Sequence, residues 1–259
     1  MSVLPFFQVD AFAAAAFQGN PAAVIPLTQW LDDATLQAIA VENNLSETAF
    51  TVPRDDGVAN YDLRWFTPTV EVDLCGHATL ASGHVLMTGA AIRFATRSGV
   101  LEVSRADGKL WLDLPAFAVG EGDEPGLLAA LGCEGPSFLG RGGNGAAIVL
   151  LADEAAVRAV TPDFAALAVI DRLVIVTAPG TSTDIVSRVF AAYHGIPEDP
   201  VTGSAHAALV PFWASRLGRD CFTALQASKR SGLIDCELKG DRVRLGGQAV
   251  TVIEGHFQL

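Results

Sequence analysis

The chain carries a second copy of itself. Glu71-Val72-Asp73-Leu74-Cys75-Gly76-His77-Ala78-Thr79 is a weaker version of Glu198-Asp199-Pro200-Val201-Thr202-Gly203-Ser204-Ala205-His206. In each, an acid stands five residues ahead of a glycine, and a polar residue, an alanine and a small-residue apolar run follow it. Gly19-Asn20-Pro21-Ala22-Ala23-Val24 returns as Gly143-Asn144-Gly145-Ala146-Ala147-Ile148, and Arg64-Trp65-Phe66 returns as Arg188-Val189-Phe190, both displaced by 124 residues; the glycine turns are displaced by 127. Matches in one order at a nearly constant offset imply two homologous lobes, and a period this long is a duplicated domain rather than a solenoid of short repeats. The predicted lobes are residues 1–117 and 118–259, with a hinge in Pro115 to Pro125 and a last strand able to return to the first lobe.

Two lobes suit a chain of 259 residues, half of them hydrophobic, because single cores divide near this size. Charged residues make up only 18%, which argues against disorder. A formal charge of −12 repels nucleic acid and anionic membranes, so neither is an expected partner. No apolar run approaches the roughly 18 to 20 residues that span a bilayer. The four cysteines (Cys75, Cys133, Cys221, Cys236) show no CxxC pairing, so a reduced, cytoplasmic enzyme is the expectation.

Local patterns give an α+β chain. Val3 to Phe12 and Ala22 to Leu27 read as strands around a Gly19-Asn20-Pro21 turn, and Asp32 and Asp33 cap a helix that ends near Asn43 and Asn44. Ser46 to Val52 and Tyr61 to Phe66 are strands leading into the first glycine turn and its small-residue helix. The second lobe repeats the plan, and its helix from Gly203 to about Leu217 contains Pro211, which should bend it.

Each glycine turn opens a helix, and the first amides of a helix carry partial positive charge and point at whatever sits before them. Gly76 and Gly203 therefore mark two anion-holding starts, which the duplication should turn toward each other. The lobes are not identical there: Cys75 aligns with Thr202, His77 with Ser204, Thr79 with His206 and Val72 with Asp199. Glu47 aligns with Asp171 to Leu173, where no acid matches its strand position. Unlike polar residues at a pseudo-twofold axis suggest an asymmetric site with Glu47, His77, Asp199 and Ser204 as catalytic candidates. Asn20, Cys75, Gly76, Thr202 and Gly203 are the substrate-binding candidates. A carboxylate in a neutral pocket trades protons, and helix amides hold a substrate carboxylate or a developing enolate. Singly, each residue has a plainer reading: a surface strand acid for Glu47, turn chemistry for Asp199 before Pro200, a first-turn hydroxyl for Ser204. The repeat is what raises them together.

GNPAAV, NLSETAF, LRWFTPTVEVDLCGHAT and EDPVTGSAH, in this order, resemble the PhzF (phenazine biosynthesis) family and, beyond it, the diaminopimelate epimerase fold. The resemblance covers nearly the whole chain. It implies two lobes, each a mixed sheet curled round a central helix, with the active site in the cleft between them. It also implies a cofactor-independent isomerase of a small, carboxylated, anionic metabolite, and a homodimer. PhzF itself shifts hydrogen on a hydroxylated, amino-substituted cyclohexadiene acid with a glutamate as general acid and base. That glutamate matches Glu47, and the supporting histidine, aspartate and serine match His77, Asp199 and Ser204. Diaminopimelate epimerases use a thiol from each lobe; with Thr202 opposite Cys75, a two-thiol racemase is disfavoured. Alternatives are a one-thiol epimerase using Cys75, a zinc hydrolase using Cys75, His77 and His84, and a binding protein without chemistry. No cofactor and no metal are expected.

Overall fold

The computed structural model describes residues 3–140 and 145–259. The chain divides into two compact units, one running to Leu114 and taking in Gly246–Leu259, the other Pro115–Leu245. In chain order the first part forms β1 (Val3–Ala11), β2 (Asn20–Pro26), α1 (Asp33–Asn43), β3 (Glu47–Pro53), β4 (Tyr61–Phe66), β5 (Glu71–Val72), α2 (Gly76–Leu86), β6 (Ala91–Thr96), β7 (Gly99–Ala106) and β8 (Lys109–Pro115). There follow β9 (Val119–Glu121), α3 (Leu127–Leu131), β10 (Ser137–Gly140), β11 (Ala146–Leu150), α4 (Glu154–Ala159), α5 (Phe164–Leu167), β12 (Leu173–Pro179) and β13 (Ile185–Ala191). After a single 3₁₀ turn at Ala192–His194 come β14 (Ile196–Asp199), α6 (Gly203–Leu217), β15 (Cys221–Gln226), β16 (Gly232–Lys239), β17 (Arg242–Gly247) and β18 (Ala249–Gln258).

In the first unit β1 lies between β18 and β2, both antiparallel to it. β2 then runs parallel to β3, β3 antiparallel to β4, β4 parallel to β6, and β6 to β8 close as an antiparallel meander. The sheet packs round α2, which touches β1, β2, β3, β7 and β18 and is buried from Gly76 through Gly83. A helix so enclosed has no solvent face to present, which is why most of its residues are small or apolar. At Gly83 a Cβ would sit 2.6 Å from the Val103 side chain. Gly83→Val should therefore overpack this contact and lower stability by about 1–3 kcal/mol; an unchanged urea midpoint would show that the helix and β7 have room to part. α1 covers β3 and β4 from outside, capped by Asp32, whose carboxylate accepts from the Thr35 amide at 2.9 Å. It ends at Asn44 in the left-handed conformation.

The second unit repeats the strand plan. β11 is parallel to β12, β12 antiparallel to β13, β13 parallel to β15 and β15 antiparallel to β16. Its central helix, α6, runs through Pro211, packs on β16, and is tied down where Trp213 Nε1 donates to Thr177 Oγ1 at 3.0 Å. Side chains repeat as well. Arg64 grips Glu71 with two bonds of 2.7 and 2.8 Å, and Arg188 grips Glu198 with bonds of 2.7 and 3.0 Å. Each guanidinium also lies 5.1 Å from the ring two residues on, Phe66 or Phe190. The change of offset from 124 to 127 falls at the three-residue 3₁₀ turn between β13 and β14, so the insertion is absorbed in a loop while the ion pair is kept.

Two features depart from the sequence reading and a third settles what it left open. The stretch Pro115 to Pro125 contains β9, paired with β10, so it is partly sheet and not only a connector. β15 was not anticipated, although Phe222, Ala224 and Gln226 alternate inward along it. The last strand takes the course the sequence reading left open: nine residues of β18 pair along β1 and place Gly246–Leu259 in the first unit, so the second ends at Leu245. The Gly143-Asn144 half of the repeated turn lies outside the described residues.

Candidate active site

Glu47 is the first residue of β3, His77 the second of α2, and Asn20 the first of β2. The parallel register that sets Ala22 beside Glu47 brings Asn20 to the same end of the sheet, where α2 begins. His77 is 3% exposed, and its Nε2 lies 3.2 Å from Glu47 Oε2. Its Nδ1 faces the Asn20 side-chain amide nitrogen at 3.1 Å and Cys75 Sγ at 3.6 Å. The imidazole thus sits between an acid on one side and an amide and thiol on the other.

The charges follow from this order. Burial works against an imidazolium, but the Cys75 and Glu47 neighbours outweigh it and hold the His77 pKa well above its ordinary value. Burial first, and the Glu47 charge second, push the Cys75 thiol up to about 11. Cys75 from the Nδ1 side and Glu47 from the Nε2 side both favour the proton on His77. With His77 protonated, Nδ1 needs an acceptor. The Asn20 amide can supply one by turning its oxygen toward the ring.

The second unit places Asp199 at the end of β14 and Thr202 at the cap of α6, both buried. The Thr202 hydroxyl donates to Asp199 Oδ2. Gln226, fully buried at the end of β15, braces the turn: its Oε1 accepts from the Thr202 amide at 2.8 Å, and its Nε2 donates to the Asp199 carbonyl at 2.7 Å and meets Thr202 Oγ1 at 3.1 Å. Sequence reasoning missed Gln226; the signal was a polar residue on the inward face of an alternating strand. Ser204 is the second residue of α6, half-buried. His206 Nδ1 donates to the Thr202 carbonyl at 2.8 Å, and burial pushes its pKa down to about 4, so it stays neutral. Thr79 does the same for the Cys75 carbonyl, a second duplicated cap.

Gly76 and Gly203 open α2 and α6, and neither Cys75 nor Thr202 turns its side chain onto the first amides of its helix. Register also settles the partner of Glu47. Ala22 pairs with Glu47 as Ala146 pairs with Leu173, so the second unit carries leucine where the first carries the acid. In the same way Trp65 pairs with Val72 and Val189 with Asp199. Each unit thus keeps one carboxylate at a position that is apolar in the other.

Among the described residues, the group that could hold a metal is Glu47, Cys75 and His77, with ligand atoms within 4.8 Å of one another. His84 is not part of it and bonds instead to Thr251 Oγ1 at 3.1 Å, which corrects the Cys75–His77–His84 zinc set. In the remaining group the ring turns Nδ1 to sulfur and Nε2 to carboxylate. That arrangement suits proton transfer better than an ion cage.

Residues 9–255 match the family described as phenazine biosynthesis-like protein. An "uncharacterized isomerase" of Pseudomonas aeruginosa is 50% identical, covering 99% of each chain. The crystal structure of a PhzF family protein of Enterococcus faecalis superposes with a TM-score of 0.91 at 45% identity over the whole of both chains. A hydroxyproline epimerase of Agrobacterium vitis, at 12% identity and a TM-score of 0.61 over 98% of this chain and 92% of that one, shares the fold. The mixed α/β architecture is thus that of the epimerase-like proteins, and the chain belongs to the PhzC/PhzF family.

Proposed function

We propose that this isomerase works without a cofactor, taking a proton from one carbon of a small carboxylated metabolite and returning it to another. The observation that carries the reading is the 3.2 Å contact between Glu47 and a buried His77. A carboxylate set beside a buried imidazole is placed to act as base. Once it has taken the proton from carbon it is the acid that gives the proton back, so no net proton is consumed. His77 orients Glu47 and steadies its charge, and Asn20 follows the protonation of the ring. The first amides of α2, beside Glu47 and His77, suit the substrate carboxylate or the enolate that forms when the proton leaves. Asp199 and Ser204 are assigned to the same reaction by the family resemblance, with Thr202 and Gln226 fixing the aspartate.

Cys75 is a weaker base candidate because its thiol is neutral at working pH, whereas a one-thiol epimerase needs a thiolate. The test is solvent exchange. Incubated in D₂O with a panel of small amino and unsaturated carboxylic acids, the wild type should replace a substrate C–H by C–D, read by proton NMR. Cys75→Ser should keep that exchange within roughly tenfold, since it leaves the acid–base pair in place. Loss of exchange in Cys75→Ser with the fold intact would move the base to the thiol.

A further inference from the structure

The second unit also contains a hollow of about 480 Å³ made from other residues. Arg158, Arg188 and Lys229 line it against a single carboxylate, Glu198, with Val160 and Phe164 among its apolar walls. Three cations converging on one concavity run against the charge of a chain at −12. Cations spread for solubility alone would have no reason to gather round an apolar hollow.

The three do different things. Arg188 is committed to the scaffold, with Nε and Nη2 on Glu198 and Nη1 on the Val160 carbonyl at 2.7 Å. Arg158 turns Nε and Nη2 to Glu154 at 2.9 and 2.7 Å, and its Nη1 has no partner among the described residues. Lys229 is exposed and forms no ion pair among the described residues. Its position is nevertheless built. Ser228 Oγ donates to the Pro200 carbonyl at 2.8 Å and accepts from the Ser231 amide at 3.0 Å, and Ser231 takes a left-handed φ of 54° to close the turn. The loop that presents Lys229 is therefore tied to the residue after Asp199.

We propose that this hollow binds a small anionic metabolite through a phosphate or carboxylate group. Lys229 and the open edge of Arg158 hold the anion, Arg188 offsets the Glu198 carboxylate in the same wall, and Phe164 and Val160 take the apolar part of the ligand. None of the residues assigned to proton transfer is used.

The experiment titrates the full chain separately with inorganic phosphate and with succinate, by calorimetry and by amide shifts at Thr161 and Ala227. Saturable binding of at least one anion is expected, weakened about tenfold or more by Lys229→Glu and largely kept by Lys229→Arg, as a charge-assisted contact requires. Binding of phosphate alone assigns a phosphate-bearing ligand, of succinate alone a carboxylate, and of both their shared charge. Because Lys229 is exposed, the variant should fold as the wild type does, which circular dichroism checks. Absence of saturable binding for both anions, or binding that Lys229→Glu leaves unchanged, overturns the proposal.

Discussion

Gln226→Leu should lower stability by about 3 kcal/mol, because each buried polar group left without its partner costs roughly 1–3 kcal/mol. Two such groups are created at once. The Thr202 amide loses its acceptor and the Asp199 carbonyl its donor, at a turn where both residues are buried. Leucine fills much of the space, so packing is little changed and the loss is one of hydrogen bonding. The same variant frees the turn that holds Asp199, so activity should fall further than stability alone explains. Urea unfolding measures the first effect and turnover of the folded fraction the second. A stability loss below about 1 kcal/mol would show that the Thr202–Asp199 contact holds the turn without Gln226.

Glu47→Gln should cost about 10² to 10⁴ in rate, the usual contribution of a positioned acid–base group. Glutamine keeps the size and shape of the side chain, so the fold should stand. The variant also reports on His77. In the wild type the raised His77 pKa gives a contribution to stability that is fully present below the ordinary imidazole value and is lost as pH rises through the raised one. Without the Glu47 charge one of the two neighbours that raise it is gone, and the His77 pKa should fall. Followed by NMR of the ring protons, an unshifted titration in Glu47→Gln would separate His77 from Glu47 and remove the coupling on which the mechanism rests.

The duplication was legible because it is written in residues that must do the same job twice. Arg64 and Arg188 each brace a returning strand, and Ala22 and Ala146 start the same parallel pair. Glu47 could be named from the resemblance, but its contact with His77 could not be read from the chain. That contact depends on the parallel register of β2 and β3 and on where α2 begins, both long-range results of folding. Gln226 was hidden for the same reason, since it braces a turn 24 residues away. The short strands β9 and β10 were missed because three or four residues are too few for a readable pattern, and it is pairing with each other and with β11 that makes them strands. The zinc set with His84 failed because composition suggested ligands without their directions, and His84 turns to Thr251.

The most direct measurement is the rate at which a substrate carbon exchanges hydrogen with D₂O in Glu47→Gln beside wild type. If Glu47 is the group that carries the proton, exchange should be present in the wild type and should drop by about 10² or more in the folded variant. Exchange at the wild-type rate in Glu47→Gln would contradict the account, whatever happened to stability or to the titration of His77.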